Sequence, residues 1–226
     1  MEIKIGEIIN MKDIIIKFLR LNLGFLLCAS STVFMLNSNT GLAPWDVFHQ
    51  GLAKTIGITM GQASVTTILV VVLIAIMLGQ KVGIGTILNM ILIGSYIDIV
   101  NNTGLIPVAD NMFMSIIMVI IGMIIIGFGC YFYISCGLGC GPRDGVMLSL
   151  SQRFNKPIKV IRGCIEIVAL TIGIILGGKV GVGTIVSAIA IGYSIQIVFK
   201  INKFDGVNLE HKSIFDTFTV FKNKIA

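Results

Sequence analysis

Three carboxylates are the leading candidates for polar contacts: Asp46, Asp144 and Glu166. The first two sit at matching places, in Gly41-x-x-Pro44-x-Asp46 and Gly139-x-x-Pro142-x-Asp144, each preceded by a distinctive residue, Trp45 or Arg143. A carboxylate at each end of a pseudo-symmetric path could hold a cation, a proton or an amine. The rival role is capping, because an acid in the first turn of a helix that opens with proline faces unpaired N–H groups, an arrangement worth about 0.5–2 kcal/mol. Glu166 lies a third to a half of the way along an apolar run. An ionised group there is expensive and marks a functional candidate, and Arg162, one helical turn earlier, could neutralise it. Asp98 closes another apolar run and is expected to be a solvated end. Gly83-x-Gly85-Thr86 and Gly181-x-Gly183-Thr184 offer a different chemistry, a glycine-lined surface where a substrate could meet the main chain. The competing reading is close helix contact with a hydroxyl bonded back to the backbone. Neither has the spacing of a phosphate loop.

Other chemistries find little support. His49 stands alone, no Ser, His and Asp gather in one stretch, and no catalysis is expected. Cys28, Cys130 and Cys164 lie in apolar runs, where cysteine behaves as a small hydrophobe. Cys136 and Cys140 fall at one helix end with no histidine nearby, so no metal and no cofactor are expected.

These residues are carried by apolar elements. The chain has 226 residues, 55% hydrophobic and 12% charged, with a mean hydropathy of +0.97. Soluble domains carry about twice that charge. Runs of about 20 apolar residues suffice to span a bilayer, and six are present: about Phe18–Leu36, Met60–Leu78, Ile84–Val100, Met112–Ile134, Ile158–Leu176 and Gly183–Phe199. The spacing predicts an all-α membrane protein, residues 1–226 forming one integral membrane domain. A cleaved leader is the rival for the first run, but Gly24, Phe34 and Gly41 map at a fixed offset onto Gly122, Phe132 and Gly139, and half of a repeat is not disposable. Between the spans, the stretches opening at Pro44 and Pro142 read as short amphipathic helices. In the first, Trp45, Phe48, Leu52 and Ile56 share one stripe while Asp46, His49 and Gln50 lie off it.

That fixed offset is 98 residues. It carries Lys81-Val82-Gly83-Ile84-Gly85-Thr86 onto Lys179-Val180-Gly181-Val182-Gly183-Thr184, and between Leu78 and Val100 roughly 14 of 23 positions match. The halves run from about 14 to 101 and from about 112 to 199, followed by a tail, 200–226. Six spans place about 15 of the 17 lysines and arginines on one side, leaving Lys54 and Lys179 on the other. Both termini and the tail are therefore expected in the cytoplasm. The net charge of +6 is an orientation signal and does not point to nucleic acid. Each half has three spans, an odd number, so the second enters the membrane from the opposite face. The expected architecture is a 3+3 inverted repeat of six transmembrane helices with an extra short amphipathic helix in each half. On this reading Trp45 and Arg143, positional mates, each suit their own side of the membrane.

The motif Gly-x-x-Pro-Trp-Asp-Val at Gly41–Val47 resembles the signature of the YczE/YyaS/YitT family of bacterial membrane proteins. So does Gly83-Ile84-Gly85-Thr86-Ile87-Leu88-Asn89 running into Ile93-Gly94 and Ile97-Asp98. Gly-x-Gly-Pro-Arg-Asp-Gly at Gly139–Gly145 is similar to the YczE branch, and the roughly 27 residues after the last span are too few for the soluble C-terminal domain usual in the YitT branch. The resemblance implies a protein of the bacterial cytoplasmic membrane and supplies no substrate.

The expected function is that of a small-molecule or ion transporter, with Asp46, Asp144 and Glu166 as polar contacts and Trp45, Arg143 and the two Gly-x-Gly-Thr segments beside them. The alternative is a scaffold or accessory subunit for another membrane or secretion system, using the basic segment from Arg143 to Arg162 and the lysine tail. The expected partners are the lipid bilayer, an unknown small molecule, and either a second copy or another membrane protein.

Overall fold

The structure, a computed structural model, describes residues 11–78, 83–139, 141–156 and 158–204. Lys81, Cys140 and most of the tail lie outside the described residues. Among the described residues every regular element is a helix: α1 (Met11–Asn37), α2 (Pro44–Ile56), α3 (Met60–Met77), α4 (Ile84–Thr103), α5 (Met112–Ile134), α6 (Pro142–Phe154), α7 (Ile158–Ile175) and α8 (Val182–Ile201). Five of them hold stretches long and apolar enough to cross a membrane: Ile15–Asn37 in α1, and α3, α4, α5 and α8 entire. α7 has 18 residues and carries a shorter apolar stretch, Gly163–Ile175. The chain is a multi-pass membrane protein.

Local chemistry explains the helix limits. Thr59 accepts from the Gln62 backbone while the Gln62 side chain accepts from Thr59, a capping box that opens α3. The Asn111 side chain accepts from Met114 N and opens α5. α2 begins on Pro44 and stops at Gly57, whose φ of +77° ends the helix in the left-handed region.

At the centre α1 lies on α5. Arg20 donates to the Ser135 hydroxyl, Gly24 sits against Gly129 and Tyr133, and Ser31 Oγ donates to Gly122 O at 2.8 Å. Positions ascend along α1 as they descend along α5, so the two helices are antiparallel. A Cβ on Gly24 would lie 2.7 Å from Tyr133 N, so this crossing depends on glycine.

Three further pairs of contacts are related by the sequence offset. α4 lies on α1 as α8 lies on α5, α2 on α7 as α6 on α3, and α2 on α3 as α6 on α7. The loops repeat this pattern. Gly183 N donates to Thr40 O at 2.8 Å, and Gly85 N donates to Leu138 O at 2.8 Å. Thr40 and Leu138 are mates, as are Gly85 and Gly183. Gly41 (φ +113°) and Gly139 (φ +136°) are held in the left-handed region, each against the glycines that open α8 or α4. One pair differs between the halves. Gly61 and Gly94 bring α3 and α4 together, whereas Gly192, the mate of Gly94, has open space around its Cβ position.

The short helix α2 is not the surface amphipath expected from its stripe. Its buried residues are Pro44, Val47, His49 and Gly51, and Ile56 is exposed. Neighbours on several sides cause the difference, since α2 packs on both α7 and α3. A Cβ on Gly173 would fall 2.6 Å from Phe48 N, and one on Gly178 would fall 2.2 Å from Val47 O. Main chain meets main chain there, and a polar side chain on α2 is enclosed with the apolar ones.

Candidate functional site

Side chains from α2 and from the first turn of α6 meet. The Arg143 guanidinium carbon lies 4.4 Å from the centroid of the Trp45 ring, well inside cation–π range. This corrects the expectation that the two suit opposite sides of the membrane. Each follows the proline that opens its helix, and the loops before the prolines carry those helix starts toward one another. Trp45 and Arg143, mates under the 98-residue offset, thus touch each other.

His49 joins this pair. It is 1% exposed and belongs to the buried face of α2. Arg143 Nη2 stands 3.4 Å from His49 Nε2. A guanidinium can only donate, so Nε2 accepts and the ring proton sits on Nδ1. Nδ1 has no hydrogen-bond partner, although Asp46 Oδ1 lies 3.5 Å away, within ion-pair reach. The rings of Trp45 and Phe48 have centroids 6.5 and 6.3 Å from the imidazole. Burial pushes the His49 pKa down, because it penalises the charged ring; Asp46 acts against that shift and the Arg143 charge adds to it. Asp46, Trp45, His49 and Arg143 thus form one partly buried polar cluster between α2 and α6, with His49 fully enclosed.

His49 is the member that sequence reasoning missed. Its only local signal was its position three residues after Asp46, which puts both on one helix face. Asp144 lies in the first turn of α6, and its side chain is outside the described residues, as is that of Arg162. Glu166 is partly buried in α7. The Gly-x-Gly-Thr segments sit elsewhere. Thr86 Oγ1 accepts from Gly83 N at 3.3 Å, and Thr184 Oγ1 accepts from Gly181 N at 3.2 Å, so each threonine caps its own helix. A Cβ on Gly181 would fall 2.1 Å from Thr40 O, and one on Gly85 would fall 3.0 Å from Leu138 O. These residues join the halves through main chain. Asp98 is not a solvated end: its Oδ1 accepts from Gly61 N at 2.9 Å and its Oδ2 from the Thr59 hydroxyl, which caps α3 from a neighbouring helix. A groove of about 220 Å³ lies beside it, lined by Gln62, Thr66 and Ser95 among others.

Comparison with known proteins places this fold among relatives. A family model described as "Family of unknown function (DUF6198)" matches residues 15–200. An "Uncharacterized protein" of Haemophilus influenzae is 37% identical over 164 residues, 73% of this chain and 74% of the relative. The "Uncharacterized membrane protein YczE" of Bacillus subtilis is 36% identical over 153 residues, 67% of this chain and 70% of the relative. The "Uncharacterized protein YyaS" of the same organism is 24% identical over 190 residues, 82% and 93% of the two chains. No solved structure matches.

Proposed function

This chain belongs to the DUF6198 family, and from that premise we propose that it is a transporter of a small molecule or ion, with its site at the Trp45–Arg143 junction. The contact between these two mates carries the reading. Secondary transporters built from inverted repeats place substrate near the bilayer midplane at the repeat interface, where interrupted helices present their N-termini. Here the helices that open at Pro44 and Pro142 supply two such N-termini, with Asp46 in the first turn of α2 and Arg143 and Asp144 in the first-turn sequence of α6.

The same proposal completes the architecture. α7 serves as the sixth span, beside the five stretches that suffice by length and composition. The two sets, α1, α3, α4 and α5, α7, α8, form a 3+3 inverted repeat, supported by the antiparallel α1–α5 contact and the reciprocal loop bonds at Thr40 and Leu138. α2 and α6 enter the membrane without crossing it. Both termini lie in the cytoplasm of a bacterial cell, following the lysine and arginine count. Glu166 is a further polar contact along the path, while the Gly-x-Gly-Thr segments hold the frame. No catalysis is assigned.

A melting screen of the purified protein against metabolites and ions tests the transport reading. A ligand at about 100 times its dissociation constant adds about 2.7 kcal/mol to the folded state. The expected result is a ligand-induced shift that disappears in Asp46→Asn. A shift unchanged in that variant removes Asp46 from the site. A blank across the panel with well-folded protein favours an accessory subunit, to be pursued by co-purification of a partner.

A further inference from the structure

We propose that His49 binds a proton, and that binding it exchanges the partner of the imidazole from Arg143 on α6 to Asp46 on α2. Its part in a transport cycle rests on the reading above, whereas the proton binding rests on geometry alone. In the neutral ring Nε2 is an acceptor and takes the Arg143 donor at 3.4 Å. An imidazolium has two donors and no acceptor. Protonation therefore sets an N–H and a positive charge against the guanidinium, which has only donors to offer. On the opposite side of the ring, Nδ1 is buried without a hydrogen bond and a carboxylate oxygen stands 3.5 Å away. The charged ring gains an ion-pair partner there as it loses Arg143. The contact that breaks, Arg143 to His49, lies beside the Trp45–Arg143 contact between the short helices of the two halves. A single proton thus acts beside a contact between the halves, the parts whose relative motion gives alternating access.

Among the described side chains, the charged groups acting on His49 are Asp46, from its own helix, and Arg143, from α6, which also carries Asp144 and Arg153. Of the other helices on α2, α3 carries no acidic or basic residue and α8 carries only Lys200, in its last turn. α7 carries Lys159, Arg162, Cys164 and Glu166. Among the described side chains Asp46 favours the imidazolium and Arg143 opposes it, opposed influences that suit a reversible proton site.

The chain supplies its own reporter. Trp45 is its single tryptophan, and its ring lies 6.5 Å from the imidazole. An imidazolium quenches indole emission more strongly than neutral imidazole does. The experiment follows tryptophan emission of the full-length protein in lipid nanodiscs as pH falls. The expected trace is one drop with a midpoint below 6.5, the ordinary histidine value, and His49→Gln abolishes it. Asp46→Asn should lower the midpoint and Arg143→Gln should raise it, two opposite shifts that a purely structural histidine would not produce. These two variants decide the matter if His49→Gln fails to fold. A flat trace in folded wild-type protein, the same drop in His49→Gln, or same-direction shifts in the two variants overturns the proposal. A ligand that still shifts the melt despite a flat trace discards the proton site and leaves the transport reading standing.

Discussion

If Trp45 and Arg143 touch, removing one should change what the other is worth. We would compare the wild type, Trp45→Leu, Arg143→Met and the double variant. Methionine keeps the length of the arginine stem without its charge, and leucine removes the aromatic face without opening the whole volume. Cation–π pairs contribute about 0.5–1 kcal/mol when exposed and about 2 kcal/mol or more when desolvated. Both residues are partly buried and the separation is 4.4 Å, so the coupling should be about 1–2 kcal/mol. Arg143→Met also loses the His49 contact, but that loss is common to the single and double variants and cancels in the cycle. For a chain of this size each kcal/mol moves Tm by about 2–4 °C, so the coupling should appear as about 2–8 °C of non-additivity. Melts in one detergent, with reversibility checked at each step, read it out. Effects that add to within about 0.5 kcal/mol, with all four proteins folded, would refute the contact.

Other perturbations test other joints. Gly94→Ala, whose Cβ would fall 2.5 Å from Val65 and 2.6 Å from Gly61 O, should destabilise by at least about 1–3 kcal/mol, whereas its mate Gly192→Ala, with open space around it, should be neutral or stabilising by up to about 1 kcal/mol in the same melting assay. Gly41→Ala combines a φ of +113° with a Cβ 2.6 Å from Gly181 N and should cost more than Gly57→Ala, where φ is +77° in open space; equal losses would contradict the loop joint. Asp98→Ala should lower stability by about 0.5–2 kcal/mol through loss of the α3 cap, measurable by chemical denaturation. Burial lowers the folded-state pKa of His49, so the unfolded chain binds the proton more readily; stability tied to His49 is complete above pH 6.5 and is lost as pH falls below it. The acid side of the stability profile should therefore be shallower in His49→Gln.

Most of the helical frame was legible in the sequence because it rests on local signals. Runs of apolar residues, the prolines at 44 and 142 and the glycine turns mark helices near where they are found. The 98-residue offset also foreshadowed the paired contacts, since equal segments seek equal surroundings. The site was legible only in its parts. Trp45, Asp46 and Arg143 stood out by type and position, but nothing local to residue 45 or 143 indicates that two loops converge. His49 looked solitary for the same reason: its Arg143 partner is 94 positions away. The stripe on α2 misled because periodicity assumes one wet face, and this helix is packed on several sides. Asp98 was read as solvated because the helix it caps belongs to another segment.

The contact between Trp45 on α2 and Arg143 on α6 is the centre of this picture. The most direct measurement places cysteines at 45 and 143 in a background from which the five native cysteines are removed, and treats native membranes with a reducible bis-maleimide long enough to span the gap the two large side chains leave. A cross-link within one chain is expected, seen as the loss of both maleimide-reactive thiols and their return on reduction. Two thiols that never link, with residue 45 labelled from outside the cell and residue 143 only from the cytoplasm, would contradict it.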